Sequence, residues 1–423
     1  MTLLFGALCL FLLLGFPVFV AIAGASAVYI VANGIPPLMA IQKMVSGVDS
    51  FPLLCVPFFI LAGSLMNAGA ITDRLFEFAH RMVGHWRGGL GHVNVLNSMI
   101  FSGMSGTAIA DAGGLGAMEL QAMRKRGYDM PFAVGISAAS ATMGPVIPPS
   151  LPLVVYGFAT GTSVGQLFLA GIVPGLLMAV AMHVLVTWFA IKRNYPVEAR
   201  ATGRERIAAL FSSAPALMMP LIIMGGIVLG IATPTEAAAV AAAYALVIGL
   251  LVYRSLDAKT IFRSLAETVE TTSVVLLMVG ASSLFGWILV RENAAQQFTS
   301  FMTGLIAEPW QALVVLNLIL LVGGMFLETI AIILIAVPIF MPVLVKFAID
   351  PVHFGIVMVL NLMVGLMTPP IGLLLFVMSR LSGLDFYATF RACLPFLTPI
   401  FVVLVLVTFV PAIPLLLPTL FMR

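Results

Sequence analysis

The sequence predicts an all-α polytopic membrane protein. It reads as an inverted-topology repeat in which each half holds one re-entrant hairpin and one broken helix. Three observations lead there. Of 423 residues, 61% are apolar and 9% charged, against roughly a quarter charged in a soluble domain. Charge-free runs extend over 2–42, 130–191, 207–235, 351–379 and 394–422, each longer than the ~20 residues a spanning helix needs. An offset of 221 residues places Asp129 on Asp350, Gly144 on Gly365, Pro148-Pro149 on Pro369-Pro370 and Pro174 on Pro395. Gly103-Met104 falls on Gly324-Met325 at the same offset. A matched Pro-Pro flanked by matched Gly and Pro is not a chance of leucine-rich composition. Such a chain has the lipid bilayer as its solvent. A soluble enzyme, a disordered tail protein and a nucleic-acid binder are excluded.

The elements follow in order. No Lys or Arg precedes the first apolar run, so residues 3–31 read as a retained first helix and not as a signal peptide. A second crossing covers 51–68. Residues 71–88 place Leu75, Phe78 and Met82 on one face and Asp73, Glu77, His80 and Arg81 elsewhere, as in an interfacial amphipathic arm. Residues 90–120 are apolar but interrupted by Ser102-Gly-Met-Ser-Gly-Thr107, with limbs too short to cross, so they form a re-entrant hairpin. A span over 131–158 breaks at Ile147-Pro-Pro-Ser150, and 168–191 spans again. A polar cytoplasmic loop, 192–206, separates the halves, 1–191 and 207–423. The second half reads as spans at 208–231, 235–253 and 267–290, an arm at 291–305 and a hairpin at 311–345. A span over 353–379, broken at Thr368-Pro-Pro370, and a last span at 395–417 complete it. Cys9, Cys55 and Cys393 lie in apolar segments without metal or disulfide spacing.

Counting crossings gives the sense of the repeat. Hairpins re-enter without crossing, so the broken spans are crossings three and eight. An odd separation inverts one half against the other. Connections on the even side hold 16 of the 20 Lys and Arg, leaving Lys43, Arg291, Lys346 and Arg423 on the odd side. The even side is therefore cytoplasmic. The N-terminus is expected inside and the C-terminus in the periplasm.

Inverted repeats with helices broken near mid-membrane mark secondary transporters. A Pro-Pro break frees carbonyls at one half-helix end and amides at the next start. The first can ligate a cation, and the second can meet an anion. Four such places occur: 102–107, 147–150, 323–329 and 368–370. The candidate Na⁺ ligands at the first two are Ser102, Ser105, Gly106, Thr107, Pro148 and Pro149. At the others they are Gly324, Glu328, Gly365, Thr368 and Pro369. Candidate substrate contacts are Ser105, Thr107, Ser150, Glu328, Asn361 and Pro370. The inverted repeat is expected to bring all four places to one depth. For a single residue the alternative is close helix packing of small side chains. Glu236, after Thr233-Pro-Thr235, reads as a helix-start cap. Asp111 lies near the first tip. Glu119 is expected at the aqueous boundary, Asn361 aligns with Ser140, and His183 reads as a lone packed histidine.

The segments FSGMSGTAIADAGGLGAMELQAMRKRGY, ATMGPVIPPSLPLVVYG and GIATPTEAAAVAAAYAL, with the long run FLETIAIILIAVPIFMPVLVKFAIDPVHFGIVMVLNLMVGLMTPPIGLLLFV, carry a resemblance. They resemble the large membrane subunit of tripartite ATP-independent periplasmic transporters over nearly the whole chain. Met104 and Gly106 stand where that family's tip is often more polar. The resemblance implies an elevator-type fold in the bacterial inner membrane and Na⁺-driven uptake of an organic anion. It further implies two partners: a separate small four-helix membrane subunit and a periplasmic substrate-binding protein. No cofactor is expected beyond Na⁺ as coupling ion. No G-x-x-x-x-G-K-[ST] occurs, so the chain drives no transport by ATP, and no nucleophile–base constellation suggests an enzyme. The alternatives are an autonomous divalent-anion/sodium symporter and a passive anion channel.

Overall fold

The computed structural model describes residues 1–68, 71–195 and 197–422, apart from the side chain of Ser105. Arg423, counted above among the odd-side charges, lies outside them. Among the described residues the fold is helical throughout, without strands. Eight of its helices are long and apolar enough to cross a membrane.

The first departure comes at the N-terminus, where 3–31 is not one helix. α1 (Thr2–Leu13) and α2 (Val18–Ala32) are separate. Gly15 at φ +81° and Pro17 end the first helix, because Pro cannot continue the hydrogen-bond ladder. The Phe11 ring then lies against Gly24, although a straight helix would hold the two about 20 Å apart. The chain therefore folds back, and both helices pack on a later one. α3 (Pro37–Val48) and a short 3₁₀ turn lead into α4 (Cys55–Ala68).

The arm is α5 (Ile71–Val83), with Ile71, Leu75, Ala79 and Val83 buried along one face. It stops short of the expected 88, where Gly88 turns at φ +74°. The first hairpin runs in as α6 (Gly89–Ser105). It returns through α7 (Ala108–Asp111), a π turn at Ala112–Gly116 and α8 (Ala117–Lys125). The first broken element is α9 (Met130–Ala141) and α10 (Leu151–Thr160), followed by α11 (Val164–Lys192).

In the second half, α12 (Gly203–Val228) starts inside the expected loop, because Thr202 and Glu205 form a reciprocal cap. α13 (Pro234–Val247) extends through a π turn, and α14 (Ala258–Arg291) starts nine residues ahead of the expected 267. The second arm is α15 (Ala294–Leu305). The second hairpin is α16 (Pro309–Phe326) and α17 (Thr329–Lys346). The second break separates α18 (Pro351–Leu366) from α19 (Leu373–Ser382). The last expected span, 395–417, is in fact α20 (Phe386–Phe409) and a separate α21 (Ala412–Phe421), divided at Pro411.

The halves pack crosswise. α13 lies on α4, and α2 on α14. α10 of the first half packs on α17 of the second, and α19 of the second packs on α7 and the π turn of the first. α9 meets α20, and α11 meets α18. Asp129 and Asp350, matched in the repeat, each cap the helix before a break.

Candidate functional site

Each hairpin tip docks on the break of its own half. At the first, Gly106 is left-handed at φ +64°, and its carbonyl accepts from Leu151 N at 3.4 Å. A Cβ there would crowd the Pro149 carbonyl and Leu151 N, so glycine is required for the approach. At the second, the Met325 carbonyl accepts from Ile371 N at 3.2 Å and Gly372 N at 3.3 Å. Gly324 and Gly365 meet there backbone to backbone. Pro148-Pro149 and Pro369-Pro370 are both cis. Of the four places expected at one depth, the structure joins hairpin tip to break as two docked pairs. Crosswise packing joins them, since the helices leaving each pair lie on those leaving the other.

The hydroxyls have local partners. Ser102 Oγ, fully buried, donates to Ser98 O at 2.6 Å. Thr107 Oγ1 caps α7, accepting from Ala110 N at 3.3 Å. Ser150 Oγ donates to the Pro145 carbonyl and accepts from Leu153 N, capping α10. Thr368 Oγ1 donates to Val364 O at 2.7 Å. The side chain of Ser105 lies outside the described residues. Glu328 is the residue before α17, where its carboxylate faces the positive helix end. Asn361 does not reach the break: its Nδ2 donates to Asn317 O and Oδ1 at 2.9 and 2.7 Å, tying α18 to α16. Its repeat counterpart Ser140 donates to Asn94 Oδ1 on α6 at 2.6 Å, the same tie in the other half. Glu236 forms the expected cap with Thr233.

Two expectations are corrected. Glu119 is not at an aqueous boundary but 2% exposed, held by Asn94 and Asn97. The π turn rotates the outgoing limb inward, which a straight helical count does not foresee. His183 is not alone: its Nδ1 lies 2.8 Å from Nδ1 of His92, with Trp86 against both rings.

Sequence reasoning also missed a cavity of about 200 Å³ beside the first tip. Phe101, Thr107, Ala110 and Leu151 line it from the hairpin and break, and Ser64, Asn67, Glu267 and Thr271 from α4 and α14. Ser64 Oγ donates to Glu267 Oε2 at 3.1 Å. The available signal was an acid at the first residue of an expected span.

Apolar helices arranged around two hairpin–break pairs define a multi-pass membrane transport protein. Residues 5–413 match the family model described as the tripartite ATP-independent periplasmic transporter, DctM component. The sialic acid TRAP transporter large permease protein SiaM of Vibrio cholerae is 47% identical, over 96% of both chains. The C4-dicarboxylate TRAP transporter large permease protein DctM of Pseudomonas aeruginosa is 41% identical over 89% of this chain and 88% of its own. The YdaH transporter of Alcanivorax borkumensis shares the fold, with TM-score 0.61, at 13% identity over 88% of this chain and 86% of its own. The chain belongs to the DctM family: it is the large permease subunit of a tripartite transporter in the inner membrane, and not an enzyme. Such subunits work with a small membrane subunit and a periplasmic binding protein.

Proposed function

We propose that this permease couples a Na⁺ gradient to the uptake of a small organic anion, a carboxylate, delivered by a periplasmic binding protein. One observation carries the reading. Each hairpin tip is docked on a Pro-Pro break, so backbone oxygens and helix-start amides gather there with few charged side chains. Carbonyls suit a small cation and amides suit a carboxylate. The relatives named above are named for sialic acid and C4-dicarboxylates, which are carboxylates. The 200 Å³ cavity between the first tip and α4–α14 supports an elevator. In that mechanism the hairpins and broken helices move together against a scaffold that includes α12, α13 and the separate small subunit.

The inverted orientation of the halves is supported by their crosswise packing and by the loop charges. The Lys- and Arg-rich connections face the cytoplasm and the C-terminus faces the periplasm. A cytoplasmic N-terminus required an unbroken first helix. With α1 folded back on α2, the single helix on which that expectation rested is divided in two.

The complete complex in liposomes, with its binding protein, tests the reading. Uptake is expected with Na⁺ outside and not with K⁺. Equal rates in the two, or a rate driven by protons alone, refute Na⁺ coupling. Uptake without any ion gradient or binding protein would point to a channel.

A further inference from the structure

The base of the first hairpin holds a buried acid that the tip sites do not use. Glu119 on α8 is 2% exposed. Its Oε2 accepts from Asn94 Nδ2 at 2.5 Å, and its Oε1 from Asn97 Nδ2 at 3.1 Å, both on α6. Asn94 also reaches Ser137 Oγ at 2.7 Å and Ser140 Oγ at 2.6 Å on α9, and Ser140 meets Ser98 Oγ at 3.0 Å. Five polar side chains from α6 and α9 thus close around one carboxyl.

Among the described residues, no positive side chain pairs with Glu119. On α6, His92 is turned to His183 of α11. Asp129, which caps α9, is engaged by Arg193 and Tyr195. Arg124 and Lys125 at the end of α8, and Arg380 on α19, are exposed. Asp111, a second buried acid, lies on the same returning limb of the hairpin. Eight residues separate the two, which on an ideal helix would put them on different faces. The π turn between them accommodates an extra residue, so they fall about two turns apart on one face. A buried anion beside another acid, without a cation, is strongly disfavoured.

The network can hold the carboxyl in either state. Ser137 and Ser140 are hydroxyls that donate or accept, so the Asn94 amide can turn over and keep its partners. It donates to an ionised Glu119, or accepts from a protonated one. Asn97 meets the carboxyl through its Nδ2, so a proton on Oε2, shared with Asn94, leaves that contact in place.

We propose that Glu119 is a reversible proton-binding site at the base of the first hairpin, separate from the Na⁺ sites at the tips, and that its neutral form is the transporting one. The carboxylate takes a proton from water, forming an O–H bond, and releases it again as pH rises. Ionisation then places a charge between the two limbs and α9 that only the Asn94 and Asn97 amides meet, which loosens the hairpin's packing without breaking its hydrogen bonds. This goes beyond Na⁺ coupling and does not depend on it.

The test is uptake by the liposome-borne complex against pH at a fixed Na⁺ gradient, for wild type and Glu119→Gln. Wild-type rate is expected to fall with rising pH, approaching about tenfold per unit beyond the midpoint, the limit for one proton. Glu119→Gln, permanently neutral and nearly isosteric, is expected to keep the acidic-side rate without that fall. Should this variant not insert, infrared spectra of the wild-type complex carry the same test. A protonated-carboxyl band that disappears on alkaline titration, and shifts in Asn94→Ala, supports the proposal. A wild-type rate flat with pH, a Gln variant that keeps the wild-type fall, or no titrating band overturns it.

Discussion

Gly365→Ala isolates the docking of the second hairpin on its break. A Cβ on Gly365 would stand 2.7 Å from the Cα and the carbonyl carbon of Gly324. Non-bonded carbons prefer ~3.5–4.0 Å, so the tip must withdraw by about 1 Å. The neighbouring bonds cannot stretch to follow. Ile371 N and Gly372 N already reach the Met325 carbonyl at 3.2 and 3.3 Å, at the long end of the N–H···O range. Overpacking of this kind costs about 1–3 kcal/mol. If the docked pair is the cation-binding form, that cost opposes binding, and half-saturation for Na⁺ should rise about 5–150-fold. The measurement is the Na⁺ activation curve of uptake by the complex in liposomes. Gly113→Ala, where an added Cβ meets nothing within 4 Å, is the control and should leave the curve in place. A Gly365→Ala protein that inserts normally and keeps the wild-type half-saturation would refute the docking argument.

Two further outcomes follow. Pro148→Ala/Pro149→Ala and Pro369→Ala/Pro370→Ala let each helix continue and its carbonyls bond internally, so each should weaken Na⁺ dependence without impairing insertion. Ser102→Ala loses one contact, worth about 0.6 kcal/mol on average in a membrane, and should change the curve far less; unchanged Na⁺ affinity in both proline variants would move the site elsewhere. Cysteines at Ala110 and Thr271, on opposite walls of the 200 Å³ cavity, should crosslink to different extents with and without Na⁺ and substrate, and a yield fixed in every condition with transport intact would rule out relative movement.

The breaks were legible in the sequence because their cause is local. Proline lacks the N–H a helix needs, and Asp129 and Asp350 announce the helix before each break as caps. Thr233 and Glu236 were legible for the same reason. The fold-back at Gly15–Pro17 has the same chemistry, but it sits in an unbroken apolar run whose length alone suggested a crossing. The early start of α14 was hidden by its charges. Arg263 and Glu267 are a helical i,i+4 pair at 3.7 Å, not loop residues. Glu119 was illegible for a different reason. Its environment is assembled from α6, α8 and α9, and a π turn that no regular periodicity reveals points it inward.

The packing also constrains what can move. If the first hairpin opened alone, Asn94 and Ser98 would part from Ser137 and Ser140 on α9. Polar groups would then face lipid without partners, at several kcal/mol each. The same opening would strip α19 from α7 and the π turn. The second hairpin is held likewise, by Asn361 to Asn317 and by α10 on α17. A displacement of both hairpins with both broken helices leaves every one of these contacts in place. It divides the molecule instead along the cavity face toward α4 and α14, where the described polar contacts between moving and fixed parts are few. These contacts favour the collective movement proposed above over separate hairpin opening, and the pair Ala110–Thr271 lies across the cavity at which that movement is to be read.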